Sequence, residues 1–264
     1  MGAIRPPAAA GSFYPADPGR LRFAVEDYLA GNGACAAPMP KAVIAPHAGY
    51  VYSGPVAGHA FASLNEDAPR IRRVVVIGPA HFVPFRGIAV PQSGAFRTPL
   101  GEVPLDGAAI ETVRDLPQVR VADVPHRPEH ALEVELPFLQ TELAEFTLVP
   151  LLAGAATAEE VAQVLELLWG GPETLIVISS DLSHYEPYDH ARAHDAATAA
   201  AIERLDGASL GPRDACGYLP LAGLLIAAGR RGMQARRLDL RSSGDTAGPK
   251  DQVVGYGAWA FHQA

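Results

Sequence analysis

Four apolar runs of strand length punctuate the chain: residues 41–46 (KAVIAP), 73–79 (RVVVIGP), 147–152 (TLVPLL) and 174–180 (TLIVISS). Val and Ile dominate them and polar residues do not alternate, so each predicts a strand covered on both faces. A weaker run at 86–91 (RGIAVP) reads as an edge or hairpin strand, and 235–240 and 252–261 (QVVGYGAWAF) as two more. Helical patterns fill the gaps. Asp17 followed by Pro18 is an N-cap with proline at the first helical position, opening a helix over 19–29. Thr157 and Glu160 form a capping box ahead of 161–168. Residues 54–64, 190–205 and 219–228 are also helical in pattern, with Gly31 and Gly229 as stops. Strands alternating with helices predict an α/β fold: one domain over 1–264, with a central, mostly parallel or mixed sheet flanked by helices. No repeat or linker divides the chain.

Composition sharpens this picture in three ways. A length of 264 residues, 48% of them hydrophobic, is enough for one large core. A formal net charge of -8 argues against nucleic acid as the partner, and Arg230, Arg231, Arg236 and Arg237 read as a solvated helix end. The two cysteines, Cys35 and Cys216, form no CxxC pair, so neither a disulfide framework nor a cysteine-built zinc site is expected. No secretory h-region opens the chain and no apolar run reaches membrane-spanning length, which makes the cytoplasm the expected compartment.

The chemistry lies at strand ends. The first run leads into His47, the second into His81, and the fourth into Asp181-Leu182-Ser183-His184-Tyr185. Ligands of open α/β sheets bind outside the carboxyl ends of the strands, so His47, His81 and His184 are expected to converge there on a metal. Two His with one carboxylate would make the facial set of non-haem Fe(II). Asp181 and Asp245 are the candidate carboxylates, and spacing does not choose between them. His130 stands at a helix start and is a candidate fourth member. His126 reads as solvent-facing, His59 as packed, His190 and His194 as a solvated face, and His262 as a tail residue.

Several segments, taken together and in order, resemble the Memo-like family, whose prokaryotic members are called AmmeMemoRadiSam system protein B. They are Ala10-Gly11-Ser12-Phe13-Tyr14-Pro15, Ala45-Pro46-His47-Ala48-Gly49-Tyr50, Gly78-Pro79-Ala80-His81, Phe96-Arg97-Thr98-Pro99-Leu100, Glu129-His130 with Leu136-Pro137, and the Ser179–Tyr185 segment. The resemblance spans nearly the whole chain. It implies a fold like that of class III extradiol ring-cleavage dioxygenases, Fe(II) as the metal with Cu or Zn as alternatives, and His47 and His81 as ligands. His184 would be the acid/base or a further ligand, and His130 a substrate-side His. Animal members of the family carry a Cys ligand in a Ser-Ser-x-Cys segment. Matching Ser242-Ser243-Gly244-Asp245 to it puts Asp245 in that place and leaves Cys216 as a buried small hydrophobe. Tyr50, Tyr185 and Asp181 would face substrate. The implied activity is a metal-dependent oxidoreductase. One alternative is a non-catalytic metal- or peptide-binding accessory protein working with radical-SAM and AMMECR-type partners; another is a zinc hydrolase.

Overall fold

The four apolar runs build the centre of the molecule in the computed structural model, which describes residues 2–31 and 38–263; Cys35 lies outside them. The strands are β1 (Ile4–Arg5), β2 (Ala42–Ala45), β3 (Arg73–Pro79), β4 (Ile88–Val90), β5 (Ala95–Thr98), β6 (Gly101–Pro104), β7 (Val119–Val121), β8 (Thr147–Ala153), β9 (Thr174–Ser179), β10 (His184–Glu186), β11 (Met233–Ser242) and β12 (Val253–Gln263). The helices are α1 (Pro18–Ala30), α2 (Tyr50–Ala62), α3 (Gly107–Arg114), α4 (Leu136–Glu142), α5 (Ala158–Leu167), α6 (Tyr188–Glu203) and α7 (Tyr218–Arg230). The main sheet runs β10-β12-β2-β9-β3-β8-β4-β7, with β11 also paired to β12. Its four central strands are mutually parallel, whereas β12 and β4 join them antiparallel. A smaller sheet, β1-β5-β6, lies beside it.

Continuous apolar strands need cover on both sides, and the core divides accordingly. Val43, Val74, Val76 and Val177 pack with Leu21 and Val25 of α1, Val56 and Phe61 of α2, and Phe138 of α4. Their alternating neighbours Ile44, Val75, Ile77 and Ile178 pack with α3, α5, α6 and α7 through Ile110, Val161, Ile202 and Leu224. The result is a three-layer α/β/α unit whose strand side chains alternate between two cores.

Local signals place the helix starts well. The Asp17 side chain accepts from the Arg20 N–H at 2.8 Å, and the Thr157–Glu160 box is formed in both directions. Two expectations need correcting. β4 is not an edge, because β7 pairs beyond it. His126 is not solvent-facing: it is 2% exposed and its Nε2–H donates to Ala89 O at 3.1 Å, because the chain around Arg5 covers its loop. The arginine cluster is surface as expected, but paired, with Arg230 on Glu159 and Glu166 and Arg237 on Glu203. His59 is packed, facing Asp239 and Arg241. Among the described residues no helix is long and apolar enough to cross a membrane.

Candidate metal centre

Strand order determines what meets at the carboxyl edge. β9 lies between β2 and β3, so the loops after all three emerge side by side. His47, two residues past β2, and His81, two past β3, bring their rings to 5.1 Å between centroids. Ser179, the last residue of β9, sits between them, with its Oγ 2.8 Å from His47 Nδ1. With Nδ1 engaged, His47 presents Nε2, which stands 3.3 Å from Cys216 Sγ. His47, His81 and Cys216 thus form a group whose donor atoms all lie within 4.8 Å of one another.

Cys216 arrives from the loop before α7. Its N–H donates to Asp181 O at 3.3 Å, and its sulfur accepts from Asp181 N–H at 3.3 Å. Gly217 permits this docking: its N–H donates to Ser180 Oγ at 2.9 Å, and a Cβ there would meet Ser180 Cβ at 2.7 Å. Asp181 lies beneath, accepting from His47 N–H at 2.8 Å through Oδ1.

His81 is oriented by Glu129. The carboxylate accepts from His81 N–H at 2.6 Å and from His81 Nδ1–H at 2.8 Å, and from the His130 and Ala131 N–H groups at 3.0 Å each. Burial alone would raise its pKa. The His81 hydrogen bond and charge, with the backbone donors, instead bring it down to about 2, so Glu129 is an anion. Its acceptor capacity is taken up in fixing His81, which leaves Nε2 of His81 outward. This is the carboxylate–histidine arrangement that commonly backs a metal ligand. His130 stacks on His81 at 4.8 Å between centroids, and its Nδ1 is buried without a hydrogen bond.

The electrostatics suit a cation. Burial, then the neighbouring His81, lowers the His47 pKa to about 3, so the ring is neutral and its lone pair available. Burial, then His47, lowers His130 to about 4. The Cys216 thiol is pushed up to about 12 by burial and by the Asp181 charge. It is therefore a thiol when no cation is near, and a bound metal would deprotonate it. Two imidazoles, each held through Nδ1, and one thiol fit a first-row transition metal.

Not every residue expected at the site joins it. Asp245 belongs neither to the His47–His81–Cys216 group nor to the second set of close donors, His81, Glu129 and His130. Its Oδ2 accepts from the Ser242 N–H at 2.8 Å and hydroxyl at 3.0 Å, capping a short turn, while Oδ1 receives the Tyr188 hydroxyl. The structure thus engages the Asp245 carboxylate with its own turn and Tyr188, and places the Cys216 sulfur beside His47. His184 stands outside the donor groups: its Nδ1–H donates to Leu182 O at 2.7 Å, but its charge still bears on His47 and Asp181. Tyr50 is a core residue, 4% exposed, its hydroxyl donating to Val134 O at 2.6 Å. Tyr185 is 69% exposed beside His184, and Phe82, 56% exposed, lies 5.7 Å from the His130 ring. Glu129 escaped sequence reasoning although it adjoins His130; nothing local marks it as an orienting carboxylate.

His194, read as part of a solvated face, is in fact clamped between Glu186 Oε1 at 2.9 Å and Asp214 Oδ1 at 2.7 Å. Both ring nitrogens face carboxylates, so the imidazolium is the favoured form. It ties β10 to the loop that leads to Cys216. The hydrogen bond to Asp214, then that to Glu186, raises its pKa above 6.5, against the effect of burial. The resulting stabilisation is complete below the unfolded value near 6.5 and fades as pH rises through the folded pKa. His194→Ala should therefore lower the urea midpoint more at pH 6 than at pH 9. An equal loss at both would show that the charge contributes nothing.

Comparison with known proteins agrees over the whole length. The family model described as Memo-like protein matches residues 5–260. A MEMO1 family protein of Sulfolobus acidocaldarius is 37% identical, covering 96% of this chain and 97% of that relative. One from Methanothermobacter thermautotrophicus is 36% identical over 96% of this chain and 98% of its own length. One from Methanopyrus kandleri is 35% identical over 98% and 99%. With residues 5–260 matched and relatives aligned nearly end to end, the chain belongs to the Memo-like protein family.

Proposed function

We propose that this chain is a metal-dependent oxidoreductase whose ion is held by His47, His81 and Cys216. The observation that carries this reading is the gathering of three donor atoms within 4.8 Å, two of them oriented from behind, by Ser179 and Glu129. Fe(II) remains the favoured metal, with Cu and Zn as alternatives; a thiolate donor brings the soft metals closer than an all-oxygen-and-nitrogen set would. When bound, the metal supplies Lewis acidity and a meeting point for a chelating, ortho-diphenol-like substrate and O2. The protein's own groups do the rest. Glu129 keeps His81 in one tautomer. The buried floor of Asp181 and Ser179 excludes water from the ligand side. His184, with Nδ1–H on Leu182 O, offers Nε2 to take or return a substrate proton.

Anaerobic loading with Fe(II), followed by metal analysis, should give about one ion per chain and none in His81→Ala. His184→Ala should retain the metal and lose O2 uptake with a catechol. Metal absent from the wild-type protein would sink the reading. A full site with no turnover would move it to the second one: a binding module for a peptide or a radical-SAM partner, favoured by Phe82, exposed beside His81, and Tyr185, exposed beside His184.

A further inference from the structure

Behind the donor set lies a carboxyl group that the proposed chemistry does not use. Glu135 is fully buried. One oxygen, Oε1, is 2.8 Å from Ser179 Oγ; the other, Oε2, is buried without a hydrogen-bond partner. Ser179 Oγ has two further neighbours, Ala131 O at 2.6 Å and His47 Nδ1 at 2.8 Å.

Counting protons at this hydroxyl leaves one consistent arrangement. A serine hydroxyl has one hydrogen to give and two lone pairs to receive. Ala131 O can only accept, and at 2.6 Å it is the shortest of the three contacts, so the serine hydrogen goes there. The other two contacts are then hydrogen bonds only if His47 Nδ1 and Glu135 Oε1 both donate to Ser179 Oγ. His47 must carry its proton on Nδ1, and Glu135 must be a neutral carboxylic acid. The alternative, an ionised Glu135 accepting from Ser179, leaves Ala131 O pressed against an oxygen with no hydrogen between them. It also leaves a buried anion with one oxygen unpaired, which is expensive.

We infer that Glu135 is a permanently protonated positioning residue which, through Ser179, locks His47 in the Nδ1–H tautomer and so aims its Nε2 lone pair at the metal position. Its surroundings agree. Burial, together with the charge of Asp181, raises the Glu135 pKa well above the usual carboxylate range, and the Ser179 contact does not offset it. The part of the inference that concerns metal affinity rests on the proposed function; the protonation state and the tautomer do not.

The test uses the full chain, first free of metal. The infrared spectrum at neutral pH should contain the carbonyl band of a protonated carboxylic acid that disappears in Glu135→Gln. Nitrogen-15 NMR of the histidine rings should show His47 as the Nδ1–H tautomer. Zinc affinity, measured by chelator competition, should survive in Glu135→Gln, whose amide can still donate to Ser179, and fall about 10- to 100-fold in Glu135→Leu, which cannot. No such carboxylic acid band, or His47 protonated on Nε2, would overturn the inference. So would a Gln variant as weak as the Leu variant. If even the wild-type protein binds no zinc, the metal reading is what suffers, while the band and the tautomer still decide the role of Glu135.

Discussion

Cys216→Ala should weaken zinc binding by about 100-fold or more, while Asp245→Asn leaves it unchanged. Loss of a group that merely orients a ligand already costs about 10- to 100-fold, and loss of a ligand should reach or exceed that range. The expected contrast follows from position: Cys216 Sγ faces His47 Nε2 at 3.3 Å, whereas the Asp245 carboxylate caps its own turn. Chelator competition on both variants, with urea unfolding of the metal-free proteins as a control on the fold, measures it. Asp245→Asn losing the metal while Cys216→Ala keeps it would return the third ligand to Asp245.

The second large effect concerns stability. Arg5→Met should cost about 3–5 kcal/mol in urea unfolding, the range for removing one partner from a buried ion pair. Arg5 Nη1 donates to Glu133 Oε2 at 2.6 Å, with the two side chains 4% and 0% exposed. Glu133 also accepts from the Ala8 N–H at 2.7 Å, the Ala9 N–H at 2.8 Å and the Tyr14 hydroxyl at 2.5 Å. The remaining arginine donors reach His126 O at 2.6 Å and Glu129 O at 2.5 Å. Removing the guanidinium strands a buried carboxylate and frees the loop that carries Glu129. The double variant Arg5→Met, Glu133→Met should lose much less than the two single variants added together, since neither charge is then left alone. A loss below about 1 kcal/mol for Arg5→Met, the worth of an exposed pair, would show that the pair is not effectively buried.

The sheet, the principal helices and the meeting of His47 and His81 at one strand edge were legible because their signals are local. An unbroken apolar run says strand, and a His just past it says carboxyl edge; His47 and His81 need nothing more. Cys216 carried no such mark. Its place beside His47 comes from a loop distant in sequence docking on the end of β9, through a glycine small enough to touch Ser180. Asp245 is the opposite case. Ser242-Ser243-Gly244-Asp245 is a genuine pattern, but the Asp245 carboxylate is engaged by its own turn and by Tyr188. His126 failed similarly, since a polar loop reads as exposed until the Arg5 segment is laid over it. The short strands β5, β6, β7 and β10 were missed because a few residues supply no periodicity to read.

The insertion of β9 between β2 and β3 also sets when the site can exist. On a growing chain His47 and His81 appear early, but the strand that separates and supports them, with its Ser179, is synthesised much later, and Cys216 later still. Until that strand slots into the gap, the early histidines have no shared scaffold, and closing such long-range pairings is the slow part of building a parallel sheet. The grouping of His47, His81 and Cys216 is therefore a late product of biogenesis. On the proposed reading, retention of an ion would report that the middle of the sheet has been completed, and a chain truncated before β9 would carry His47 and His81 without Cys216 beside them.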